Sequence, residues 1–259
     1  MMTGASYVDF DSYVENLPLL HTWDGGATWN SGGFPAFYLQ ALRRAVREHF
    51  GERPLKIIET GAGNSTITFL YLEPAQLVSV APSDALRNRI IAYCDEAGID
   101  ASTLDYRVAR SELELPRMAL GSGHTGWGAP KDRPKFDLAL IDGGHGWPTV
   151  FVDFCYLNLM LSEGGLLVLD DVQLHSIAEL SRLLRRQPGF ELRHDLLKLQ
   201  IWEKTNDDPF LPDHSREPYI VQRTQRLERT HELRARVARR IRLRRQQRSA
   251  GAPPASAGQ

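Results

Sequence analysis

The sequence predicts an α/β fold built on a doubly wound, mostly parallel sheet, and three observations carry that prediction. Short apolar, β-branched runs alternate with longer segments of helical periodicity from Lys56 onward, the pattern of parallel strands covered on both faces. The first run ends in a glycine turn, LKIIETGAGNST, which takes the chain from a buried strand directly into a helix. Towards the end, FELRHDLLKLQIWEK contains two extended stretches around His194-Asp195, which implies a hairpin and an antiparallel strand closing one edge.

Taken in order, the strands are KIIET, LVSVA, LDYRVA, FDLALID and GLLVLDD. Helices are expected between them over 65–73, 84–97, 148–161 and 174–187, with an earlier amphipathic one over 35–50. Two irregular segments interrupt the alternation: TWDGGATWNSGGF, residues 22–34, and the stretch 120–134 that includes GSGHTGWGAP. Loops of this length in a compact domain serve as lids or binding loops, or are variable surface connections, and both readings stand for these two. The organisation expected is an N-terminal cap or lid with its helix over 1–54, a core over 55–204 and a C-terminal arm over 205–259. The arm reads as an arginine-rich helix from Gln222 to Arg248, with a sparse apolar stripe of Leu227, Leu233, Val237 and Ile241. Its end, SAGAPPASAGQ, has the composition of a disordered tail.

At 259 residues the chain is long enough for one α/β domain with a sizeable core. Its formal net charge of −1 conceals an uneven balance, because residues 223–248 are dense in arginine and nearly free of acid, so the remainder is acidic. Cys94 and Cys155 lie in helical patterns, which fits reduced thiols and a cytoplasmic setting better than a disulfide framework. The N-terminal MMTGASYVDFDSYVENLP lacks a basic segment followed by an apolar run, and no apolar stretch reaches membrane-spanning length. Secretion and membrane insertion are therefore not expected.

The glycine turn is the strongest functional signal. Gly61-Ala62-Gly63 lets a ligand lie against the main chain, and the following helix aims unpaired N–H groups into the same crevice. Glu59 adds a negative charge at the strand tip. A pyrophosphate gains little from a carboxylate there, whereas a ligand bearing an ammonium and a sulfonium is attracted, which favours S-adenosylmethionine.

Three motifs in order, ETGAGNST, FDLALIDGGH and LSEGGLLVLDDV, resemble those of class I S-adenosylmethionine-dependent methyltransferases. The likeness is to small-molecule O-methyltransferases with IDGxH and GGxxxxDD segments, and it covers roughly 55–204. The resemblance implies a Rossmann-like sheet of seven strands, order 3-2-1-4-5-7-6, with strand seven antiparallel. It places Glu59 near the methionine ammonium and Gly61, Ala62 and Gly63 under the cofactor. Ser65 caps the next helix, with or without a hydrogen bond to the methionine carboxylate. The second strand departs from the family pattern, since it ends at Ala81 without the usual ribose-binding acid. Asp84 is the nearest carboxylate and is equally placed to cap the helix that starts there. Strand three lacks the usual acid beside adenine, leaving Ala109, Arg110 and Ser111 at that corner.

Asp142 ends strand four and Asp170-Asp171 end strand five, and in the implied order these strands are neighbours about 5 Å apart. Carboxylates that converge raise one another's pKa unless a hard divalent cation neutralises them, so Asp142, Asp170 and Asp171 are candidate ligands for Mg²⁺ or a similar ion. Consecutive strand residues point to opposite faces, so Asp170 and Asp171 act together only where the strand has already ended. The alternative is that one caps a helix and another pairs locally. His145, in IDGGHGW, overhangs the transferring methyl in this arrangement, and an unperturbed imidazole titrates at about 6.5, which suits a general base. Asp142 and His145 are thus the catalytic candidates, and His175 is a lesser one.

The function expected is O-methyl transfer to a small hydroxylated acceptor, a sugar or a secondary metabolite. A nicotinamide-dependent oxidoreductase is the first alternative, opposed by Thr66 where the dinucleotide fingerprint needs Gly or Ala. A non-catalytic scaffold is the second, with the arginine-rich arm meeting RNA, an anionic lipid surface or the acidic body of a second copy in a homo-oligomer.

Overall fold

A computed structural model describes residues 7–22, 24–31, 33–121, 133–207 and 217–250, the last seven of these by their backbone. Most of the loop expected over 120–134, Trp23, Gly32 and nearly all of the C-terminal tail lie outside the described residues. Contacts divide the chain into two compact units, Met1–Phe210 and Leu211–Gln259.

The first unit opens with α1 (Phe10–Glu15) and α2 (Ala36–Phe50). The alternation then runs β1 (Lys56–Thr60), α3 (Asn64–Leu70), β2 (Gln76–Ala81), α4 (Asp84–Ala97), β3 (Leu104–Val108) and α5 (Ser111–Leu120). It continues through β4 (Phe136–Ile141), α6 (Thr149–Met160), β5 (Leu161–Leu169) and α7 (His175–Leu184), and ends in the hairpin β6 (Phe190–Leu196) and β7 (Leu199–Lys204). The seven strands form one sheet in the order β3-β2-β1-β4-β5-β7-β6, with β7 antiparallel to β5 and β6. Seven-stranded, doubly wound and closed by an antiparallel hairpin, this is the Rossmann-like architecture expected. Burial explains the strand patterns: β1, β2, β4 and β5 are covered on both faces and read as continuous apolar runs, whereas β6 at the edge alternates buried or half-buried with exposed residues.

Several boundaries differ from the expectation, each for a local reason. Ser83, not Asp84, caps α4, its Oγ accepting the Leu86 N–H at 3.2 Å, and Gly98 ends that helix in the left-handed conformation at φ 67°. Ser65 is the second residue of α3 rather than its cap, because Gly63 occupies the cap position. α1 and α5 were not expected; α5 carries Pro116 in its interior, which interrupts the sequence signal for a helix. The hairpin turn falls at Leu197-Lys198, with Leu197 at φ 60°, while His194 and Asp195 stay within β6 beside a register shift.

The N-terminal segment packs onto the core. Tyr13 of α1 is fully buried and its hydroxyl donates to the Asn64 carbonyl at 2.9 Å, supporting the glycine turn from behind. Cys94 is buried, Cys155 is exposed, and neither forms a disulfide. Among the described residues no helix is long and apolar enough to cross a membrane.

The second unit contains α8 (Pro218–Ala250). Its arginines from Arg223 to Arg242 are exposed, as is the stripe of Leu227, Leu233, Val237 and Ile241.

Lys204 ties the end of the sheet to a helix terminus. It is 1 % exposed, and its ammonium donates to the carbonyls of Asn158 at 2.7 Å and Leu161 at 2.9 Å, neutralising the negative end of α6. Lys204→Met keeps the packing but strands both carbonyls. It is expected to lower unfolding free energy by roughly 2–4 kcal/mol in urea titration; a loss within error of zero contradicts this role.

Candidate functional site

The order β3-β2-β1-β4-β5 reverses direction between β1 and β4, and in open α/β sheets the crevice outside the carboxyl ends at such a reversal binds ligands. The two chain segments leaving these strands are in intimate contact. Gly61 has φ 85°, and a Cβ there stands 2.3 Å from the Asp142 carbonyl oxygen. A Cβ on Gly143, on the other side, stands 3.1 Å from the Thr60 side chain. Only glycine at 61 lets the first turn pass this close to the end of β4. Gly63, at φ 153°, needs glycine for its backbone, and the His21 ring lies 3.5 Å from where its Cβ would be.

Glu59 lies beneath the turn and is wholly buried. Its carboxylate accepts the hydroxyls of Ser65 at 2.7 Å, Thr66 at 2.5 Å and Ser79 at 2.6 Å. Thr66 also accepts the Gly63 N–H at 3.0 Å, so one hydroxyl joins the turn to the buried acid. Burial pushes Glu59 up to about 7 despite the hydroxyls of Ser79, Thr66 and Ser65, which pull it down. Its charge is therefore not permanent near neutrality, and its oxygens are committed to hydroxyls. Ser65 spends its own hydroxyl on Glu59.

Asp84 points outward, ion-paired to Arg87 at 2.7 Å. Ala109, half-buried just beyond β3, donates its N–H to the Arg107 carbonyl at 2.9 Å. Its neighbour Arg110 is exposed and pairs with Glu112, while Ser111 is buried and donates to Asp153 Oδ2 at 2.9 Å. Asp153, from α6, escaped the sequence reading because one acid in an apolar helix has no local signature. Burial raises it to about 7.

The acids at the ends of β4 and β5 converge. The register pairs Ile141 with Leu169, so Asp142 and Asp170 leave adjacent strands side by side, and the Asp170 N–H donates to the Ile141 carbonyl at 3.1 Å. Burial foremost, then the charge of Asp170, pushes Asp142 well above the usual carboxylate range, and burial raises Asp170 as well. Because β5 ends at Leu169 and Asp171 turns at φ 53°, Asp170 and Asp171 reach toward one group. That group is Lys198, whose Nζ lies 3.3 Å from Asp170 and 3.1 Å from Asp171. His145 stands between two of the acids, Nε2 3.8 Å from Asp142 and Nδ1 3.7 Å from Asp171, with its carbonyl accepting from Ser176. His175 is exposed at the start of α7.

Among the described residues no three His, Cys, Asp or Glu side chains form a group suited to a metal ion. With a lysine ammonium drawn to Asp170 and Asp171, the donor set of Asp142, Asp170 and Asp171 does not fit a divalent cation as it stands. Lys198 was missed in the sequence because the hairpin turn was expected several residues earlier, which placed Lys198 in a strand rather than at the tip facing the cluster.

Buried Glu59 gives the fold a pH dependence with a definite sign. Its folded-state pKa of about 7 exceeds its ordinary 4.5, so the folded state holds the proton more tightly. Stability from this group is full below about pH 4.5, falls as pH rises, and levels off above about 7, a total of about 3 kcal/mol. Glu59→Gln mimics the protonated form and is expected to flatten that part of the profile, measured by urea unfolding between pH 5 and 8. Parallel profiles for the two proteins contradict it.

No protein-family model matches the sequence, and a search of curated proteins finds no match. Solved structures match through their fold. A protein from Corynebacterium glutamicum superposes with a TM-score of 0.51 at 18% identity, over 66% of this chain and 81% of its own. A candidate caffeoyl-CoA O-methyltransferase from Staphylococcus aureus superposes with a TM-score of 0.51 at 13% identity, over 65% of this chain and 83% of its own. With the strand order and the antiparallel β7 observed above, the chain has the Rossmann-like fold of class I methyltransferases.

Proposed function

We propose that this protein transfers a methyl group from S-adenosylmethionine to a hydroxyl of a small acceptor, a sugar or a secondary metabolite. The observation that carries this reading is the junction at the β1/β4 reversal, where the glycine turn abuts Asp142 and His145 follows three residues later. The main chain of Gly61, Ala62 and Gly63 would carry the cofactor, with Asp142 bordering it and Ala109 at the adenine corner. Glu59 would act on the cofactor's positive charge through its field, since its oxygens already hold Ser65, Thr66 and Ser79. Asp84 would contact a ribose only after releasing Arg87.

The bound cofactor would supply an electrophilic methyl on a sulfonium. His145 would take the acceptor hydroxyl's proton as the oxygen attacks in line, and the crevice would contribute proximity and orientation. Asp171 and Asp142 flank the ring on opposite sides, so the imidazolium formed would have a carboxyl group near each ring nitrogen. No step requires a metal.

An oxidoreductase reading is disfavoured by Thr66, whose hydroxyl bridges Glu59 and Gly63 where close helix packing calls for Gly or Ala. A binding role for the arm finds support in the exposed arginines of α8, which suit a polyanion such as RNA. The same arm would hold a homo-oligomer by meeting the acidic body of a second copy, in a cytoplasmic setting that suits two reduced thiols.

Calorimetric titration with S-adenosylhomocysteine and with NAD tests the main reading: saturable binding of the first alone is expected, and binding of NAD alone overturns it. His145→Ala should bind S-adenosylhomocysteine as the parent does while methyl transfer from labelled donor to a hydroxylated acceptor panel falls about 10²-fold or more; unchanged turnover removes His145 from the mechanism. For the arm, RNA affinity of the full chain should fall steeply between low and physiological salt, and a salt-independent affinity rejects phosphate contacts.

A further inference from the structure

Lys198 forms the tip of the β6–β7 hairpin, and several contacts fix it there. Its carbonyl accepts the Val172 N–H at 3.0 Å, just past the aspartate pair, and its N–H donates to the Leu196 carbonyl at 2.6 Å. The side chain is 16% exposed. Besides Asp170 and Asp171, its ammonium donates to the Gly33 carbonyl at 3.4 Å and lies 5.5 Å from the centre of the Phe34 ring. Three separate parts of the chain, the exit of β5, the hairpin and the N-terminal loop before α2, thus close around one positive charge.

The geometry points to Lys198 as a built-in counter-ion of the Asp142, Asp170 and Asp171 cluster, standing where a divalent cation would otherwise stand, so that the site works without one. This rests on the reading that these carboxylates border the reaction site. A hard divalent ion would coordinate the same oxygens at about 2.0–2.6 Å, too near the ammonium for both to remain. The lysine holds an advantage in that competition: it is covalently part of the chain, and the Gly33 carbonyl and Phe34 ring help keep its ammonium in place. Lys198 is a positioning residue here, setting the charge around Asp142 and Asp171 and through them around His145.

Manganese titration, with free Mn²⁺ followed by electron paramagnetic resonance, tests the assignment on the full chain. The parent protein should bind Mn²⁺ more weakly than about 1 mM. Lys198→Met, which removes the ammonium, should bind it at least about tenfold tighter, because the carboxylates are then left unbalanced. Lys198→Gln keeps a donor for the aspartates and Gly33 while removing the charge; it should show the same gain and serves if the Met variant does not fold. Lys198→Arg restores a cation and should return binding to the parent level. The assignment is overturned if the parent binds Mn²⁺ as tightly as the neutral variants, if those variants gain nothing, or if the Arg variant binds as they do. S-adenosylhomocysteine binding measured on the same samples separates the two ideas: its absence removes methyl transfer and leaves the Mn²⁺ comparison standing.

Discussion

The close approach of β1 to β4 at their carboxyl ends governs the rest of this structure. With a Cβ on Gly61 only 2.3 Å from the Asp142 carbonyl, the backbone of the first turn rests directly against the backbone leaving β4. Reciprocal crowding of Gly143 against Thr60 fixes the pair from the other side. That contact sets where α3 begins, where Asp142 projects and how far His145 stands from the turn. Without it the glycine turn and the acids at the ends of β4 and β5 would belong to separate parts of the edge.

Concentrating acids at one edge carries a desolvation cost, and the fold meets it in three different ways. Glu59 is surrounded by three hydroxyls, each donating to it, and remains free to take up a proton near neutrality. Asp153 shares its burial with the hydroxyl of Ser111. The two aspartates after β5 meet a full positive charge, Lys198, brought in by the hairpin that makes the sheet mixed rather than parallel. The antiparallel β7 thus has an electrostatic consequence beyond topology, since it aims the tip of the hairpin back at the carboxyl edge of β5.

The N-terminal residues belong to the same economy of contacts. Tyr13 supports the glycine turn through Asn64, His21 covers Gly63, and Gly33 with Phe34 meets Lys198. None of these partnerships has a signature in sequence, because each joins positions some tens to well over a hundred residues apart through one side chain. The enclosure of Glu59 by hydroxyls has no local signature for the same reason. Ser79, in the middle of β2, reaches Glu59 only because β1 and β2 pair in a register that sets these two residues opposite each other.

By itself the sequence determined the sheet, its central strands and most of its helices. Strands buried on both faces are mostly apolar, and the turn from β1 into α3 needs glycine at 61 and 63, so both requirements are written locally. It also determined which acids and which histidine sit at strand ends, because KIIET, FDLALID and GLLVLDD mark those ends directly. Only the tertiary structure decided what the acids do. Whether a carboxylate faces hydroxyls, an arginine or an ammonium depends on side chains delivered by distant elements. A displacement of a few residues in one hairpin turn separates a lysine lost within a strand from one that neutralises the aspartates after β5.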